Sequence, residues 1–315
     1  WVGKKILGIQ KLQELNELGI ISNQQLSMLI HSRDFLCSIR YALHALTQRK
    51  EDRLLFDYQR TLAKQFNYHD EQNLLGVEQF MQDYYKSAKT ISRLNEIILQ
   101  TYSQKLFQSK KSKIITLNHS FQIRDNLVEL RKGIQFKDNP SLLLEIFLLF
   151  QKHKNIQGID SKTISMITEN LHLIDDSFRK NKENKKLFLD ILKAPEGVTH
   201  ELKRMNLYGV LGLYIPAFGK IEGRMQYDLF HAFTIDEHTL LVVSNLRRLA
   251  LKRFDHEYIE YSKKMQLIAT PEILYIAGLF HDIAKGRNED HSKLGSLEAE
   301  SFCLDHGMSK YESKL

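Results

Sequence analysis

Cysteine is almost absent: Cys37 and Cys303 are the only two in 315 residues, and neither sits in a Cys-x-x-Cys pair. That excludes a disulfide framework or a cysteine zinc site, and it fits a reducing, cytoplasmic setting. Proline (4), glycine (15) and valine (seven) are scarce as well. Many-stranded sheets need turn punctuation and β-branched runs, so the shortage predicts an all-α chain. No apolar run approaches the roughly 18 residues of a membrane helix. The longest, residues 141–150, is interrupted by Glu145, so no membrane partner is expected. The chain opens on Trp1-Val2-Gly3 without Met or a basic leader. A signal peptide is therefore not expected, and the native N-terminus is expected to lie upstream.

Charge of one sign is only slightly in excess: 45 Lys and Arg against 38 Asp and Glu give +7, with a mean hydropathy of -0.35. This is the balance of a soluble globular protein, and the length suggests two domains. Two basic stretches, residues 105–113 and 179–186, lack the interleaved aromatics of a base-stacking surface. They read as solvated loops, and no nucleic acid partner is expected.

What is present is helical periodicity. Met28, Phe35, Ile39, Leu43 and Leu46 recur at helical spacing, as do Phe80, Tyr84, Ala88, Ile91, Leu94 and Ile98. Two long amphipathic helices should therefore pack as a bundle. Asn139-Pro140 opens an apolar segment running to His153, and Thr270-Pro271 offers the cap and first residue of a helix ending at Gly286. Between them, the glycine-bearing stretch 194–223 shows no sustained helical period and reads as an irregular lead-in to a second domain.

The residues suited to chemistry cluster late in the chain. His281-Asp282 follows the apolar run Ile273, Leu274, Ile276, Ala277, Leu279 and Phe280. An imidazole and a carboxylate there are costly unless paired, and a divalent metal would pair them. An isolated His-Asp most often makes only a local hydrogen bond; this one has company. Asp236-Glu237-His238 precedes the apolar residues Leu241, Val242, Leu246 and Leu249, which puts His238 on or near the buried face of a helix. Asp290-His291-Ser292 follows the loop after His281. Lys285, four residues beyond His281, projects from nearly the same helix face, where it suits a phosphate.

The spaced His, His-Asp and His resemble the HD phosphohydrolase superfamily. The resemblance is closer still for three segments, 223–240, 279–287 and 290–295. They are similar to bacterial bifunctional PII uridylyltransferase/uridylyl-removing enzymes, and so are Arg40 to His44, Arg53 to Asp57 and Met81 to Leu94. In that family one domain attaches UMP to a tyrosine of the PII signalling protein, an HD domain removes it, and ACT domains sense glutamine. No Asp-x-Asp pair occurs here to hold Mg²⁺ at a triphosphate. The resemblance thus implies a central fragment: a helical nucleotidyltransferase-associated bundle over 1–110, connecting helices over 111–195, and the first part of an HD domain over 196–315.

Carried over by position, the resemblance makes His238, His281 and Asp282 ligands of a divalent metal, Mg or Mn. Lys285 and His291 are catalytic, with His291 a second-site ligand or phosphate contact. The family pattern continues with a later histidine and a final aspartate that the chain does not reach, so weak or no activity is expected of it alone. Asp305 and His306 fall too early to replace them. The implied reaction is hydrolysis of the UMP-tyrosine phosphodiester, the stretch 208–226 shaping its entrance. PII and its uridylylated form are the implied partners, with UTP and UMP handled by the full-length enzyme. Two alternatives stay open: an HD hydrolase acting on another nucleotide, and a non-catalytic helical module for PII docking or dimerisation. Arg40, His44, Arg53 and Asp57 fit either nucleotide contact or surface ion pairs.

Overall fold

The computed structural model describes residues 5, 8–71, 74–107, 113–226, 233–287 and 290–315. Two compact units emerge, residues 1–135 with 155–170, and residues 136–154 with 171–315. Helices dominate both, but the all-α expectation needs correction, because a four-stranded sheet lies in the first.

In the first unit the two expected helices are Asn23–Thr47 and Gly76–Phe107, and they pack together with Phe56–Gln65 beside them. Ser22 starts the former with a capping box, accepting from Gln25 N while Gln25 Oε1 accepts from Ser22 N. Their seam is aromatic: Phe80 is fully buried among Phe35, Phe66 and Tyr68, with ring centroids 5.6–6.3 Å from its own. The sheet runs in the order β1 (Ile114–Thr116), β2 (Phe121–Arg124), β3 (Leu127–Leu130) and β4 (Gly158–Ile159). The first three strands are antiparallel, and β4 joins β3 in parallel. Asp125 and Asn126 both take positive φ (49° and 68°), as a two-residue hairpin loop between β2 and β3 requires. Of the basic stretch 105–113, residues 105–107 end the long helix and 108–112 lie outside the described residues.

The second unit is built around Leu142–Lys152, apolar nearly all round and buried at Leu142, Leu143, Leu144, Ile146, Phe147, Leu148 and Leu149. It packs on Lys182–Lys193 and Val198–Tyr208. The basic residues 179–186, expected as a loop, are helical: Asp176–Lys180 leads into Lys182–Lys193 through Asn181, whose side chain accepts from Glu183 N and Asn184 N. The stretch 194–223 is not irregular either. It forms three helices, Val198–Tyr208, Val210–Tyr214 and Pro216–Ile221. Its glycines mark their ends and their contact: Gly197 and Gly209 sit at boundaries with φ of 83° and 82°, and a Cβ on Gly219 would meet the Gly212 carbonyl at 2.6 Å. No helix among the described residues is long and apolar enough to cross a membrane.

Candidate metal centre

Three helices of the second unit frame the site. Ile235–Leu249 carries His238 one turn from its start. Its first turn is anchored by buried Asp236, which accepts from the Gly223 amide at 3.0 Å and from Asn206 Nδ2 at 3.3 Å. Glu272–Phe280 packs against it. Gly278 allows the close approach, since a Cβ there would lie 3.0 Å from Leu246 and 3.3 Å from Val243.

The helix expected to reach Gly286 ends at Phe280. From there the bonds shorten to i→i+3, with Ile283 N to Phe280 O at 3.2 Å and Lys285 N to Asp282 O at 3.1 Å. Pro271 occupies the cap position rather than the first helical residue. The tight turn finishes at Gly286, whose φ of 76° ends it and whose missing side chain leaves room for the Arg224 guanidinium. The third helix, His291–Asp305, passes over the turn at Gly295, where a Cβ would lie 3.0 Å from the Phe280 carbonyl.

This framework brings together His238, His281 and Asp282, whose ligand atoms all lie within 4.8 Å of one another. Asp282 Oδ2 is 3.2 Å from His281 Nε2, 3.7 Å from His238 Nε2 and 2.8 Å from Lys285 Nζ. His281 Nδ1 donates to the Gly278 carbonyl at 2.7 Å, which aims Nε2 into the cluster. His238 proves to be a rim residue, its side chain 39% exposed; the buried face of its helix is Asp236, Thr239, Leu240 and Val243.

Burial of Asp282 by itself would raise its pKa, but His281 and Lys285 outweigh that and hold the carboxyl well below the usual range. Hydrogen bonding to Asp282 raises His281 against the opposing pull of burial. Two imidazoles and an ionised carboxylate, half open to solvent, suit a divalent cation. Lys285 lies against Asp282, three residues back, at 2.8 Å. His291 stands exposed at the start of its helix, where Asp290 caps Ser292 N and Lys293 N, and it is outside the ligand cluster.

His306 is no ligand: Nε2 accepts from Tyr214 Oη and Nδ1 donates to the Phe302 carbonyl, both at 2.7 Å. In the first unit, Arg40 and His44 converge on Asp52 at 2.7 and 3.4 Å, and Arg53 pairs with Glu51 at 3.1 Å. Asp57 lies in the first turn of its own helix. Sequence reasoning passed over Asn206 and Gly278, and gave no structural role to Asp236 or Arg224. A glycine inside an otherwise apolar helix, one turn before His281, was the readable signal for Gly278.

Residues 1–99 match the GlnD PII-uridylyltransferase family, 121–214 the uridylyltransferase GlnD third domain and 235–312 the HD domain. The whole chain aligns with bifunctional uridylyltransferase/uridylyl-removing enzymes of Nitrosococcus oceani (48% identity), Hydrogenovibrio crunogenus (44%) and Pseudomonas aeruginosa (43%). The chain belongs to this family. It spans 35–36% of the length of these bifunctional uridylyltransferase/uridylyl-removing enzymes. The HD match encloses His238, His281 and Asp282, so the geometric cluster and the hydrolase-type domain coincide. No solved structure matches the chain.

Proposed function

We propose that this chain carries the uridylyl-removing site of its family: a divalent metal, Mg or Mn, held by His238, His281 and Asp282, and hydrolysis of the UMP-tyrosine phosphodiester of PII. The observation that carries the reading is the convergence of those three donors in the HD-matching segment. A divalent ion held there supplies Lewis-acid activation of the attacking water and of the phosphoryl oxygen.

The chain's own residues do the positioning. The Gly278 carbonyl fixes the His281 tautomer, and Lys285 keeps Asp282 ionised while standing beside the phosphoryl charge that develops. Water oxygen bonds to phosphorus, the bond from phosphorus to the tyrosine oxygen breaks, and the phenolate leaves to take up a proton. His291, exposed at the start of its helix, is assigned to the phosphate rather than the ion. The proposed partners are PII and its uridylylated form, with UMP as product and UTP used by the whole enzyme, in the cytoplasm. The match over residues 1–99 favours this substrate over another nucleotide.

A second reading, a docking module without catalysis, draws on exposed Tyr258, Ile259, Tyr261 and Leu267. Calorimetry with Mn²⁺ separates the two. One site in this chain, lost in His281→Ala, is the expected result. Binding that survives the substitution overturns the ligand assignment, and PII binding without any Mn²⁺ site favours the docking module.

A further inference from the structure

A second concave site lies in the same unit, at the opposite end of the His238 helix. It is a pocket of about 250 Å³ whose lining includes Thr199, His200, Lys203, Arg247, Arg248 and Arg253. Four cationic residues line it, and among the described residues no carboxylate does. They come from separate elements: Lys203 from Val198–Tyr208, Arg247 and Arg248 from the last turn of Ile235–Leu249, and Arg253 from the short helix Lys252–Phe254.

Arg247 and Arg248 have a local explanation, because cations at a helix C-terminus meet its negative pole. They also have partners: Arg247 donates to Tyr275 Oη at 3.1 Å and to the Pro195 carbonyl, and Arg248 pairs with Glu257. Even so, Arg247 Nε is buried without a hydrogen-bond partner among the described residues. Neither the dipole nor Glu257 accounts for Lys203 and Arg253. Among the described residues no ion pair compensates either one, and Arg253 stacks on the Phe254 ring that Arg248 also covers, at 5.0 and 4.2 Å from its centroid.

The pocket floor adds donors without charge. Gly197 takes φ of 83° to start the Val198–Tyr208 helix, and no side chain caps it. The first-turn amides of that 11-residue helix therefore open toward the same cavity, where an anion would satisfy them. Cations of fixed fork geometry and amides at the positive pole of a helix are the chemistry of a phosphate site.

We propose that this pocket binds a phosphate dianion, either free or carried by a small phosphomonoester, at a site separate from the metal centre. Lys203 and Arg253 are exposed, so their neutral variants should fold. The test is calorimetry on this chain, metal-stripped and at low ionic strength, with inorganic phosphate and with ribose 5-phosphate as probes. Saturable binding is expected, weakened roughly tenfold or more in Lys203→Gln/Arg253→Gln and unchanged in His281→Ala. Tighter binding of ribose 5-phosphate identifies a phosphomonoester as the ligand, and equal binding identifies the free ion. No saturation up to about 10 mM of either probe, equal affinity in the double variant, or loss in His281→Ala would overturn the proposal. Thermal unfolding of the double variant, expected at the parent temperature, guards against misreading a folding defect.

Discussion

Asp282 is 7% exposed and has Lys285, His281 and His238 within 3.7 Å, and Lys285 and His281 hold its carboxylate ionised before any ion arrives. Replacing it with Asn keeps the shape but strands the Lys285 ammonium. Asp282→Asn should cost about 1–3 kcal/mol in chemical denaturation and abolish the Mn²⁺ isotherm, whereas Lys285→Met should leave the isotherm in place and slow turnover. His306 offers a pH test remote from the metal. Burial pushes its pKa from 6.5 down to about 4, and its two hydrogen bonds suit the neutral ring. A depressed histidine favours folding above the unfolded value and loses that contribution as pH falls from 6.5 toward 4. The loss should be at most about 3 kcal/mol, and urea titrations should show it in the parent and not in His306→Gln.

At the scale of elements, long periodicity was legible and short punctuation was not. The stripes from Met28 and from Phe80 announced the two bundle helices because tertiary burial follows the same 3.6-residue repeat. The sheet escaped because composition was weighed over the whole chain, while its strands have four residues or fewer. Yet Phe121-Gln-Ile-Arg124 alternates buried and half-buried residues, and Asp125-Asn126 is a readable hairpin loop. Asn126→Gly should accordingly raise stability by about 0.5 kcal/mol in thermal unfolding, since Gly meets positive φ without strain.

The glycines of 194–223 misled in the opposite direction, reading as loop when they cap and join helices. Around the site, His-Asp and the spaced His238 were legible as types and spacing. The arrest of the helix at Phe280 was not, because an i→i+3 turn keeps the same sequence texture. Gly278 is the element-level test: Val there crowds Val243 and Leu246 and should cost about 1–3 kcal/mol, while Ala should be near neutral because helix propensity offsets the contact.

On the scale of the whole molecule, the chain's units are interleaved in sequence. Residues 136–154 depart to the second unit between β3 and β4, and residues 155–170 return to the first. The domain limit expected at 195 therefore falls inside the second unit. Phe188 stacks on Tyr214 at 4.6 Å and meets Phe302 at 5.8 Å, so a chain starting at 196 loses an aromatic centre along with the Leu142–Lys152 helix. Residues 196–315 expressed alone should be insoluble or molten by near-ultraviolet circular dichroism, and a native spectrum would contradict the packing described.

The most direct measurement of function is release of UMP from uridylylated PII by this chain with Mn²⁺, beside Asp282→Asn. The expected result is slow, metal-dependent release that the substitution abolishes; equal release by the variant would contradict the assignment of the site.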